Sequence, residues 1–275
     1  MELLKFTSGK GLRFGDALHI LANVVFVALL ALIVFVGQLQ LLALLLVLFS
    51  KWRIFAVRPR FWNINLRSNL LDLVFVVSVI SLAIHPMAGA IAQATWLFIF
   101  AAWQIVVKQL TSRTAMLVQA ALGQLFGLMA LLSYAAYFVP GSQLYLVTVV
   151  LGAWVIGYAA ARHIMASYDN EPKTEFFALL WGFIVAEVVW LLGHWLHVYT
   201  IMAGIEIPQV TLIVMLIGFC SQQIYSLQRY ILEHDDQYIR KKSTQNELRK
   251  AYIAGAFSLS LVVVVLVTTS WTITI

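Results

Sequence analysis

ALHILANVVFVALLALIVFVGQLQLLALLLVLF, residues 17–49, is the stretch on which the fold turns. As one helix at about 1.5 Å per residue it would reach roughly 50 Å. A bilayer's hydrocarbon core is only about 30 Å thick. Gly37-Gln38 interrupts the run and Gln40 follows closely, so residues 17–50 are expected to form a helical hairpin of two short helices. A cleaved signal peptide is the competing reading, because Lys5, Lys10 and Arg13 precede the run. Its apolar region would be only about 7–15 residues long, so the segment is expected to stay in the membrane.

Further apolar runs follow: Leu70 to His85, Gly89 to Val107, Ala115 to Phe138, Leu144 to Ala161, Phe176 to Tyr199, Val210 to Leu227 and Tyr252 to Ile275. About 20 helical residues cross a bilayer, and backbone groups inside lipid must be satisfied within the segment. Turn chemistry at His85-Pro86, Pro140-Gly141 and Ile207-Pro208 separates several of the runs. The expected fold is all-α, a polytopic transmembrane helix bundle of about nine spans.

The basic residues support that count. With a hairpin over residues 17–50, all 18 Lys and Arg fall in segments on one side. Cytoplasmic loops carry such an excess, which predicts a cytoplasmic N-terminus and an external C-terminus. Two of these segments are long. Residues 51–69 mix Lys51, Arg53, Arg58, Arg60 and Arg67 with Trp52, Phe55, Phe61 and Trp62, as a basic interfacial segment on the headgroups would. Residues 231–251 read as a cytoplasmic polar linker before the last span; the adjacent His234, Asp235 and Asp236 point different ways on a helix.

Composition agrees. The chain is 62% hydrophobic and 11% charged, with a mean hydropathy of +0.91, far from the balance of soluble domains. Its net charge of +6 is spread over short loops, where anionic lipid headgroups attract it. No soluble segment is large enough for a nucleic-acid reading module, so the expected partners are the lipid bilayer, anionic headgroups and other membrane proteins, with no nucleic acid. Cys220 is the single cysteine, which excludes an internal disulfide and a Cys-x-x-Cys site. Small residues recur at Gly123/Gly127 and at Ala153/Gly157/Ala161, spacings that let helices approach closely.

The candidate site lies in EFFALLWGFIVAEVVWLLGHWLHVY, residues 175–199. Continued as one helix, it puts Glu187, Trp190, His194 and His197 within roughly 80° of arc. An acid near the bilayer centre costs several kcal/mol, roughly 2.5–3.5 for Asp on insertion scales, so Glu187 is expected to face protein or a water-filled cavity. Such a residue is by default a functional hypothesis; the structural alternative is a hydrogen bond to a neighbouring helix. Gln93 and Gln104 in the fourth span, and Gln222 and Gln223 in the eighth, are the candidate polar partners. His85, His194 and His197 are candidate metal ligands, but His-x-x-His by itself does not define a metal site, and no metal or other cofactor is expected.

No H-E-x-x-H or G-x-S-x-G is present, and Ser8-Gly9-Lys10-Gly11 is only a fragment of a phosphate-binding loop. Every lysine lies outside the spans, which argues against a retinal Schiff base. The run ARHIMASYDNEPKTEFFALLWGFIVAEVVW, residues 161–190, followed by IPQVTLIVMLIGF, residues 207–219, resembles uncharacterised multi-pass membrane proteins of candidate-phylum (Patescibacteria-like) bacteria. The resemblance implies a bacterial cytoplasmic membrane and brings no activity. The expected function is non-enzymatic, a membrane scaffold or assembly subunit. The alternative is a small-solute or ion transporter or channel built on the Glu187 stripe, and a membrane-embedded enzyme comes third.

Overall fold

The computed structural model describes residues 14–37, 39–139, 142–166, 168, 173–192, 198–202 and 205–233, with isolated positions at 249, 252–253, 256–257, 260 and 263. The described residues are mostly helical: α1 (Phe14–Leu32), α2 (Gln40–Ser50), α3 (Trp62–Ala83), α4 (Ala90–Ile105), α5 (Arg113–Ala135), α6 (Gln143–Met165), α7 (Thr174–Leu192) and α8 (Gln209–Glu233). Among the described residues, five helical segments are long and apolar enough to cross a membrane: Pro59–Ala83, Ala90–Gln109, Arg113–Ala135, Gln143–Met165 and Thr174–Leu192. Serine caps fix two of the starts. Ser112 Oγ accepts from the Ala115 N–H at the head of α5, and Ser142 Oγ from the Tyr145 N–H at the head of α6, both at 3.2 Å, satisfying a donor that the helix itself leaves open.

Within residues 17–49, α1 is prolonged by a π-helical turn over Ile33–Gly37, and a second helix starts at Gln40. The halves then part company: α1 packs on α4 and α2 on α3 rather than on each other. With 11 residues, α2 reaches only about 16 Å, too short to cross a bilayer by itself. The count of about nine spans is therefore not carried by helix length. The last apolar run, 252–275, and the linker 231–251 lie largely outside the described residues, as does the Pro140-Gly141 turn. The backbone of α8 runs helically to Glu233, past the start expected for the linker.

The all-α expectation also needs correction. The run Phe176 to Tyr199 does not continue as one helix, because α7 ends at Leu192 and Val198–Met202 (β1) pairs antiparallel with Ile205–Pro208 (β2). β-Branched and aromatic residues make up most of β1 and half of β2, which suits them to extended structure. Ile205 is buried, and the Gln209 amide donates to Tyr199 Oη at 3.1 Å.

Aromatic packing joins the first part of the bundle. Phe75 of α3 stacks on Trp103 of α4, centroids 3.7 Å apart, and meets Phe126 of α5 edge-on at 5.5 Å. Small residues join the remainder. Gly127 of α5 lies against Ile156 of α6, and Gly157 of α6 against Val185 and Gly182 of α7. Outward faces carry large apolar side chains more than half exposed, among them Leu21, Val25, Leu41, Phe98, Leu151 and Phe183. That much exposed apolar surface needs a cover such as lipid or a partner.

Segment 51–69 is structured. Two 3-10 turns, Trp52–Ile54 and Pro59–Phe61, lead into the first turns of α3. The Trp62 indole N–H is bonded to the Phe55 and Val57 carbonyls at 3.1 and 3.0 Å, with the Arg60 guanidinium over the Phe61 ring.

Candidate functional site

Which face of α7 turns inward is decided by its small residues. Ala178, Gly182, Val185, Ala186 and Val189 are buried, while Phe176, Leu179, Leu180, Phe183, Glu187, Trp190 and Leu191 are exposed. On a helical projection the exposed set spans one arc. Glu187, expected to face protein or a water-filled cavity, thus sits with Trp190 on the outer face of the described bundle. The reason is packing: glycine and alanine allow the close approach of α6, whereas Phe183, Glu187 and Trp190 would hold it away. Glu187 is twelve residues beyond Glu175, about 18 Å along the axis, well inside the apolar length of the helix. His194 and His197, the remainder of the predicted stripe, lie outside the described residues.

The candidate partners are elsewhere. Gln93 and Gln104 are partly buried on α4, which packs between α1 and α3. Of Gln223, only the backbone position on α8 is described. Gln222 is partly buried and faces a different centre. There Gln124 of α5, 3% exposed, accepts from the Trp181 indole N–H at 3.0 Å and donates to the Val214 carbonyl at 3.0 Å. Beside them is a cavity of about 20 Å³, lined in part by Gly218 and Gln222. The buried Gln222 Oε1 has no hydrogen-bond donor among the described residues. A cavity of that size has room for one water, and the Gln124 and Gln222 amides are the polar groups of an otherwise mostly apolar lining.

His85 is engaged outside any metal site. Its Nδ1 accepts from the Met87 N–H at 3.3 Å, its Nε2 lies 3.4 Å from Tyr137 Oη, and its ring meets Tyr134 edge-on. Among the described residues no group of three or more His, Cys, Asp or Glu side chains comes together.

The densest polar chemistry gathers at the end of the bundle formed by Lys51, the first half of α3, the end of α4, the start of α5, the end of α6 and the start of α7. Asp72 of α3 accepts from Lys51 Nζ at 2.8 Å and Lys108 Nζ at 2.6 Å through one oxygen, and from the Trp103 indole at 2.9 Å through the other. Burial pushes the Lys51 ammonium below its ordinary pKa, while the Asp72 carboxylate pulls it back up. Gln119 of α5 donates to the Val107 and Leu110 carbonyls at 2.6 and 2.9 Å, and its Oε1 lies 2.7 Å from His163 Nε2 of α6. The third group belongs to Glu175 of α7. Its Oε2 accepts from Tyr158 Oη at 2.7 Å and its Oε1 from Arg162 Nε at 3.0 Å, with Arg67 Nη1 at 3.5 Å. Arg113 stacks over the Tyr168 ring nearby.

None of these three groups was singled out from the sequence. Asp72, Gln119 and Gln124 are nevertheless legible there as polar residues inside or at the lip of apolar runs. That pattern alone marks a residue that must find a partner.

No family model matches the chain, and no curated protein or solved structure matches it.

Proposed function

We propose that the chain is a non-enzymatic, multi-pass protein of a bacterial cytoplasmic membrane that serves as a scaffold or assembly subunit, presenting the outer face of α7 to another membrane protein. The observation that carries this is the exposure of Glu187 on an otherwise apolar face with Phe183, Trp190 and Leu191. A carboxyl group facing hydrocarbon is costly, and intramembrane acids pair with other groups. A partner helix offering a polar or basic side chain would relieve that cost. Asp72, Gln119 and Glu175 are engaged with groups of the bundle itself, which suits a rigid platform. The basic segments, including residues 51–69, favour a cytoplasmic position against anionic headgroups. On that orientation the N-terminus is cytoplasmic, the chain makes about nine crossings and its end is external. The resemblance to multi-pass membrane proteins of candidate-phylum bacteria fits this setting.

A photo-crosslinker at Leu191 in cells is expected to trap one identifiable membrane protein. Glu187→Leu should abolish the adduct at unchanged expression. Transport remains the second reading, favoured by the buried Gln124–Gln222 cavity. It takes precedence if reconstituted protein shows pH-dependent flux that Glu187→Gln removes while leaving expression intact.

A further inference from the structure

We propose that the cleft between α3, α6 and α7 is a binding site for an anionic phospholipid, its phosphate held at Arg67 and an acyl chain laid along α7. Its headgroup end, at Glu175, is about 18 Å along α7 from Glu187, and only Phe183 belongs both to the acyl chain's track and to the docking face. The cleft has a volume of about 290 Å³ and is lined by Arg67, Trp154, Tyr158, Glu175 and Leu179. That is close to the lower end of small-ligand pockets, about 300 Å³, enough for a headgroup and the first methylenes of a chain.

Charge selects the headgroup. Two guanidinium groups, Arg67 and Arg162, face a single carboxylate, Glu175, which leaves one positive charge. Glu175 is occupied: Arg162 and Tyr158 hold its two oxygens at 3.0 and 2.7 Å. Arg67 is not matched in the same way. Its Nη1 stands 3.5 Å from Glu175, its side chain is 44% exposed, and 3.5 Å is too long for a good hydrogen bond. A guanidinium carries five donors in a fork that suits phosphate oxygens. Arg67 thus offers the cleft a donor set that Glu175 does not use.

The walls select an amphiphile over a soluble anion. Trp154 stacks on Tyr158 with centroids 5.6 Å apart, giving the cleft a flat aromatic side. Gly182 makes this possible, since a Cβ there would lie 2.9 Å from the Trp154 carbonyl oxygen. Leu179 continues the wall, and the exposed Phe176 and Phe183 extend it along α7. Guanidinium at one end and an exposed apolar track leading from it match a headgroup and its chain. Tryptophan, tyrosine and arginine also favour the interface where phosphates lie.

The test is native mass spectrometry of the purified full chain with mixed dioleoyl phosphatidylglycerol and phosphatidylcholine. Wild type should retain phosphatidylglycerol preferentially. Arg67→Gln should lower that retention about tenfold, as loss of a charge-assisted contact implies, whereas Glu175→Gln should raise it by removing the competing carboxylate. Leu179→Trp, which fills the cleft without touching a charge, should also lower it. If Arg67 serves only to brace Glu175, the Arg67 and Glu175 variants will both reduce thermal stability and neither will shift the lipid ratio, overturning the proposal. Displacement of the lipid by inorganic phosphate alone would also overturn it, by showing that the site reads a free anion.

Discussion

Gly157 of α6 and Gly182 of α7 face each other where the two helices cross: a Cβ built on Gly157 would lie 3.2 Å from the Gly182 Cα and 2.8 Å from the Val185 Cβ. Because one obstacle is backbone and the other a β-branched side chain, neither can swing aside. This crossing is what turns Phe183, Glu187 and Trp190 outward. Gly157→Leu is expected to destabilise the bundle by about 1–3 kcal/mol or more through overpacking. Thermal denaturation in detergent, read by tryptophan fluorescence, would show the loss; Gly89→Ala, where a Cβ meets nothing within 4 Å, serves as the control.

Asp72 should matter more to stability than any exposed charge. It holds Lys51 and Lys108 at once, and the side chains of Lys51 and Asp72 are only 11% and 12% exposed. Asp72→Asn removes the counter-charge from a buried ammonium, a change that typically costs about 3–5 kcal/mol. Lys51→Gln should be more damaging than Lys108→Gln, because the Lys108 side chain is 37% exposed and its pairing is weakened by solvent or headgroups. Equal melting temperatures for the two lysine variants would show that the cluster is not held by burial.

The sequence made the apolar helices legible, because length and hydropathy are local properties. The break at Gly37 was legible for the same reason. What the pattern could not supply was the direction in which a helix faces. Glu187 looked inward because an acid in an apolar run ought to be shielded, but Ala178, Gly182 and Val185 form the closer-packing face and α6 takes it. Position mattered as much for Gln222, which lines the same small cavity as Gln124 and Trp181, residues far away in the chain. The hairpin at Val198–Pro208 was hidden by its own hydrophobicity, since a short apolar run bounded by turn residues suits strand and helix alike.

Gln124 ties α5 to α7 and α8 through its one amide. Gln124→Leu would strand the Trp181 N–H in a buried setting, and the expected loss is about 1–3 kcal/mol. Gly218→Ala tests the adjoining cavity more gently, since the added Cβ would sit 3.0 Å from the Trp181 ring and 3.3 Å from Gln124 Nε2. Both variants should lower the detergent melting temperature, Gln124→Leu by more. A larger drop for Gly218→Ala would mean that the space beside Gln222, rather than the amide bonds, carries the stability.

Side-specific reporters test the proposed orientation. A fusion near Arg113 should report the cytoplasm and one after Ile275 the exterior. The basis is the placement of the basic residues, of which Lys51, Arg67, Lys108, Arg113 and Arg162 sit at one end of the bundle. If both fusions report the same side, the proposal of nine crossings with opposed termini is wrong, although the arrangement of α3 to α7 would be untouched.

Glu187 offers the sharpest separation of assembly from stability. It is exposed, so Glu187→Leu removes no contact within the described bundle and should change the unfolding free energy in detergent by no more than about 0.5 kcal/mol. Removing a carboxyl group from the lipid face should even favour insertion. Assembly predicts a different outcome in native membranes, where the same substitution should eliminate the Leu191 cross-link and leave Glu187→Gln intermediate, because an amide keeps the hydrogen bond but not the charge. A melting temperature in detergent that falls as far as it does for Asp72→Asn would identify Glu187 as internal glue, and the docking face would then have to be sought elsewhere.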